Sequence, residues 1–90
     1  MVWRIEFSAT AEKQFRKLDA LVAKRMSSFL RDRLATLENP RSLGAALQGN
    51  ELGELWKYRV GDWRLICRIQ DHSILITIVK IGNRSEVYKK

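Results

Sequence analysis

Cysteine is almost missing from this chain: Cys67 stands alone, so no intrachain disulfide can form. Histidine is equally scarce, with His72 the only one. One Cys, one His and scattered carboxylates show no metal-ligand spacing, so no metal site is expected. A His-based acid–base pair is also out of reach. Such cysteine usage suits a reducing cytoplasm. No apolar run approaches the ~20 residues of a membrane span. The start, MVWRIEFSATAEKQ, has no hydrophobic region and no small-residue cleavage site, so no signal peptide is expected. Internal repeats and low-complexity segments are lacking too.

What the chain has in excess is positive charge. Its 90 residues carry 17 Lys plus Arg against 10 Asp plus Glu, a formal net charge of +7. That balance favours an anionic partner. Ninety residues also suit one small domain, expected to span 1–90.

Residues Val2 to Phe7 alternate, with Trp3, Ile5 and Phe7 on one side and Arg4 and Glu6 on the other, as in a half-buried strand. Ser8 can cap a helix beginning near Ala9 that turns Ala11, Phe15 and Leu18 to one face. Asp19 can cap a second helix from Ala20 to about Glu38, striped by Val22, Met26, Phe29, Leu30, Leu34 and Leu37. Asn39-Pro40 should end it. Residues 40–53 read as an ordered loop pinned by Leu43 and Leu47. Three strands follow, at about Glu54–Val60, Trp63–Gln70 and Ile74–Ile81. The expected class is α+β: one antiparallel-rich sheet with an N-terminal helical hairpin packed on one face, in the order β-α-α-β-β-β. The first strand should join a later one, leaving the other sheet face partly open.

The segment LWKYRVGDWRLICRI carries the sharpest signal. A two-residue Gly61-Asp62 loop fits a tight hairpin and sets the register. Val60 then faces Trp63, Arg59 faces Arg64, Tyr58 faces Leu65 and Lys57 faces Ile66. Trp56, Tyr58, Val60, Trp63, Leu65, Cys67 and Ile69 share the face meant for the helices. Lys57, Arg59, Arg64 and Arg68 share the other. Like charges directly opposite one another are destabilising, and a solvated strand face does not require them. A phosphate between the cations would make the arrangement favourable, since Arg forks and an ammonium form a strong clamp. In the tail, Arg84 can bend toward the same face, and Tyr88 can stack on a base.

These residues resemble the RelE/ParE toxin superfamily of bacterial toxin–antitoxin systems. The resemblance rests on LWKYRVGDWRLICRI, LQGNELGELW and IGNRSEVY, with FSATAEKQFRKLD and ENPR fitting as well. The superfamily joins two activities: RelE-like ribosome-dependent endoribonucleases that cut mRNA in the decoding site, and ParE-like toxins that bind DNA gyrase and do not cut RNA. The RSEVY run favours the RelE branch. That resemblance implies a site of Lys57, Arg59, Arg64, Arg84 and Tyr88. Arg59 stands where the branch has a lysine, and Arg84 corresponds to either of two late arginines. It further implies a metal-free, cofactor-free attack of an RNA 2′-hydroxyl on the adjacent phosphate, in the cytoplasm. The implied partners are a cognate antitoxin and the ribosome with its rRNA and mRNA, with no membrane and no metal. Arg68, Lys13, Arg16, Lys17, Lys24, Arg25, Arg31 and Arg33 are candidates for further RNA contacts. Gyrase inhibition is the alternative, and a non-cutting RNA-binding module is a third reading.

Overall fold

The computed structural model describes residues 2–47 and 55–83. Strand β1 (Arg4–Phe7) leads into helix α1 (Ala9–Arg16) and helix α2 (Ala20–Ser28), which continues as a π-helical segment at Phe29–Leu34. A 3₁₀ turn (Pro40–Ser42) and a two-residue strand β2 (Ala45–Ala46) precede β3 (Leu55–Val60), β4 (Trp63–Gln70) and β5 (Leu75–Asn83). The strands form one sheet in the order β1-β5-β4-β3-β2. β1 runs parallel to β5, and the other pairings are antiparallel. The expected α+β class and helical hairpin are therefore present.

Local chemistry accounts for the helix starts. The Ser8 hydroxyl accepts from the Ala11 N–H at 3.1 Å, and an Asp19 carboxylate oxygen accepts from the Leu21 N–H at 3.2 Å. The second helix ends sooner than Glu38, and its last part is wider than an α-helix. Its Ala35 N–H donates to the Leu30 carbonyl at 2.9 Å, five residues back. In an α-helix, each step of four overshoots a turn by about 40°. A wider turn reduces that drift, so Met26, Leu30 and Leu34 can all stay buried on one line. Thr36 then takes the next turn's place, its hydroxyl donating to the carbonyls of Asp32 and Arg33.

The core lies between the helices and one sheet face. Met26, Leu34, Tyr58, Leu65, Cys67, Ile76 and Ile78 are fully buried there. Phe7 and Phe15 meet at 5.3 Å between ring centroids, and Phe29 meets Tyr58 at 6.0 Å. Burial pushes the Cys67 thiol far up, away from the thiolate form. Among the described residues, no helix is long and apolar enough to cross a membrane.

Two further features depart from the sequence reading. Within residues 40–53, which the sequence presents as a loop, lies β2, which pairs Ala45 with Lys57 and Ala46 with Trp56. Side chains of β3 hold it in place. The Trp56 indole donates to the Leu43 carbonyl and the Tyr58 hydroxyl to the Pro40 carbonyl, both at 2.7 Å. The last strand starts one residue later than expected, because Ile74 sits in the turn with φ 49°. It also contains a bulge. One β4 step, Ile66 to Cys67, faces two β5 steps, Lys80 to Ile78, leaving Val79 as the extra residue.

Arg41 anchors the 3₁₀ turn to the β4–β5 turn, reaching Asp71 with two N–H···O bonds of 3.0 and 3.1 Å. Hydrogen bonding from Arg41 holds the Asp71 carboxyl below its ordinary range. The stability this provides is present above the unfolded carboxyl pKa of about 4 and disappears as pH falls through the lower folded value. The pair is largely exposed, so Asp71→Asn should cost no more than about 1 kcal/mol near neutral pH. Urea unfolding of both proteins should show the difference at neutral pH and a smaller one as pH falls below about 4.

Candidate phosphate-binding site

The β3–β4 register is the one the two-residue loop dictates. Arg59 pairs with Arg64, Lys57 with Ile66, and Val60 with Trp63. Lys57, Arg59, Arg64 and Arg68 thus lie on the sheet face away from the helices. Leu65, Cys67 and Ile69, which alternate with them, are buried on the opposite face.

Lys57, Arg59 and Arg64 line a cavity of about 250 Å³, closed on other sides by Gly44, Ala45 and Tyr58. The pairing of β2 with β3 brings Ala45 beside Lys57 and so walls this cavity. Arg59 is exposed, while Arg64 is only 8% exposed. Each guanidinium is steered by a backbone carbonyl. Arg59 Nε donates to Gly61 O and Arg64 Nη1 to Trp63 O, both at 3.3 Å. Each bond uses one of five N–H donors. Among the described residues no carboxylate lines the cavity. Three cations around a space of this size, on a rigid hairpin, suit an oxyanion such as a phosphodiester.

The hairpin tip joins this site to the helices. A second cavity of about 780 Å³ is lined by Arg25, Phe29, Arg33, Leu43, Arg59 and Gly61, among others, and shares Gly44 and Arg59 with the first. Arg25 and Arg33 are thereby brought to the site. Arg68 lies on the cationic face but toward the far turn, in a hollow shared with Arg41, Asp71 and His72. Lys13, Arg16, Lys17, Lys24 and Arg31 are exposed on the helices and line neither cationic cavity. Two of them are engaged locally, Arg16 with Glu12 at 3.2 Å and Arg31 with Asp32 at 3.0 Å. Arg84 and Tyr88 fall outside the described residues.

Sequence reasoning missed one cation, Lys80. Strict alternation from Ile76 and Ile78 sends Lys80 into the core. The Val79 bulge reverses the phase, so Lys80 pairs with Ile66 on the cationic face and Ile81 takes the buried position. A lysine in the apolar phase, followed at once by an isoleucine, was the available signal.

The chain is similar to known proteins. A family model described as the ParE toxin of type II toxin–antitoxin system, parDE, matches residues 5–88. The Toxin RelE of Mycobacterium tuberculosis is 31% identical over 87 residues, covering 97% of this chain and 87% of that protein. The mRNA interferase toxin RelE of Escherichia coli K12 is 28% identical over 92 residues, covering 100% of this chain and 94% of that protein. The fold matches the solved structure of the toxin–antitoxin complex RelBE2 from Mycobacterium tuberculosis with a TM-score of 0.81 at 24% identity, covering 96% and 95% of the two chains. Through a family match spanning most of its length and a RelE relative aligned over nearly all of it, the chain belongs to the RelE/ParE superfamily of type II toxin–antitoxin toxins.

Proposed function

We propose that this toxin is a ribosome-dependent endoribonuclease that cuts mRNA in the decoding site, in the cytoplasm. The observation that carries the reading is the Arg59–Arg64 pair with Lys57 around one cavity. The name of the Escherichia coli relative, an mRNA interferase, supports it.

In this reaction an RNA 2′-oxygen bonds to the adjacent phosphorus while the bond from phosphorus to the 5′-oxygen breaks. The products are a 2′,3′-cyclic phosphate and a 5′-hydroxyl. The 2′-hydroxyl proton leaves, and a proton reaches the 5′-oxygen. Negative charge on the phosphate grows in between, and preorganised donors aimed at it are worth most. Arg59 and Arg64 take that role. Guanidinium groups do not give up a proton near neutral pH, so Lys57 is the proton-transfer group. Arg84 assists the leaving oxygen, and Tyr88 stacks on a base to align the backbone. Acid–base groups this poor need the ribosome to orient the message. A cognate antitoxin, acidic where it meets this face, would neutralise the cations and block access.

The test is to express Lys57→Ala, Arg64→Ala and Arg84→Ala and map transcript ends on programmed ribosomes. Codon-phased cuts by the wild-type protein, lost in the variants, are expected. Cutting at wild-type rates by all three would reject the catalytic assignment. The family model bears the ParE name, which keeps gyrase inhibition as the second reading. Its mark would be DNA-damage signalling with messages intact.

A further inference from the structure

The β4 residues on the face away from the helices read Arg64, Ile66, Arg68, so an apolar side chain interrupts the cations. Ile66 is only 5% exposed. Lys80 is paired directly across from it on β5 and is exposed. Strand spacing places the Lys80 Cα roughly 8 Å diagonally from those of Arg64 and Arg68, within reach of long side chains. Lys80 therefore fills the gap, and Arg59, Arg64, Lys80 and Arg68 form an unbroken cationic track across three strands. Thr77, paired with Arg68, adds a hydroxyl at its end. Beyond Thr77 comes Glu6, which faces the same way and is held by Arg4 at 3.5 Å.

The bulge that puts Lys80 there is bonded by Ser8, the N-cap of α1, and by Gln14 within that helix. The carbonyl of the extra residue, Val79, accepts from the Ser8 hydroxyl at 3.1 Å. The Ile81 N–H donates to Gln14 Oε1 at 2.6 Å. Both bonds satisfy backbone groups that the irregular ladder would otherwise strand.

We propose that Lys80 forms a second phosphate subsite, holding an RNA phosphate that flanks the scissile one, and that Gln14 is a positioning residue acting through the bulge. The track is spaced for a polyanion with regularly repeated charge, which an RNA strand supplies. The proposal rests on the nuclease reading above, and its test separates the two.

Binding is measured on ribosomes programmed with an mRNA carrying 2′-deoxynucleotides at the scissile position, so that no cutting occurs. Lys80→Ala should weaken binding several-fold and reduce the salt slope by about 0.7, the value for one lost single-strand phosphate contact, while Lys80→Arg restores both. Replacing the flanking phosphate by an uncharged methylphosphonate should cost the wild type several-fold and Lys80→Ala nothing further. Gln14→Ala should reproduce the lower slope in folded protein, and Gln14→Glu, which keeps an acceptor for Ile81, should not. An unchanged slope in Lys80→Ala, or losses that multiply with the methylphosphonate at every flanking position, would overturn the subsite. If Gln14→Ala loses thermal stability but keeps the wild-type slope, its positioning role is refuted. Native messages left intact by the wild-type protein in the transcript-end assay, together with a Lys80-dependent slope here, would end the nuclease reading and leave the phosphate subsite standing.

Discussion

Arg64→Met should lower mRNA cleavage by about 10²–10³-fold, the usual loss when one preorganised donor to a developing oxyanion is removed. The same change should leave the protein as stable as before or slightly more so. Arg64 lies directly across from Arg59, and opposed like charges on neighbouring strands cost a few tenths to about 1 kcal/mol. It is also only 8% exposed, so its charge is held away from most of the water that would screen it. Methionine keeps much of the buried stem's volume, which alanine would not. Activity and stability therefore move in opposite directions, as expected when a fold carries charges for function. Arg64→Lys should fall between, keeping the charge but losing the fork. Single-turnover cleavage and urea unfolding on the same preparations decide it. A large stability loss in Arg64→Met with little loss of cleavage would mean that Arg64 serves the fold and not the phosphate.

The part of this site visible in the sequence was the part fixed by local rules. A two-residue loop at Gly61-Asp62 and strict alternation on both flanks leave one register, and a slip of one residue would turn Leu65 and Cys67 out to solvent. The caps at Ser8 and Asp19 and the stripe from Met26 to Leu34 were legible for the same reason, being set within a few residues. What stayed hidden depends on partners far along the chain. The β5 bulge is bonded by Ser8 and Gln14, 71 and 67 residues away, and its local trace is no more than Lys80 in the apolar phase with Ile81 after it. β2 has only two residues and is held by the indole of Trp56 and the phenol of Tyr58, so its alanines show no strand signal of their own. Arg25 read as a helix-surface cation, and only the packing of α2 against the hairpin brings it beside Gly61. The tail residues Arg84 and Tyr88 rest on the resemblance, outside the described residues.

Gly44→Ala is expected to be among the most damaging single changes to stability, although Gly44 is exposed and no catalytic role is assigned to it. Its φ is +78°, where a Cβ alone costs about 1–2 kcal/mol. The added carbon would also lie 2.3 Å from the Lys57 carbonyl oxygen and 2.9 Å from Tyr58 Cδ1. Neither neighbour can yield easily: the first is ladder backbone and the second a fully buried ring. The segment carrying β2 must then lift from β3, straining the Trp56 and Tyr58 hydrogen bonds that fasten it. Gly61→Ala is the comparison. It shares the left-handed backbone, at φ +62°, but its Cβ would meet only the flexible end of Arg25, at 3.4 Å. Gly44→Ala should therefore exceed Gly61→Ala by at least about 1 kcal/mol, or roughly 4–8 °C in Tm for a domain this small. Because Gly44 and Ala45 wall the cavity that holds Lys57, Arg59 and Arg64, the lifted segment should also slow cleavage in whatever fraction stays folded. Equal thermal shifts for the two glycine variants would mean that backbone conformation alone sets the cost, and that the close approach of β2 to β3 does not shape the site.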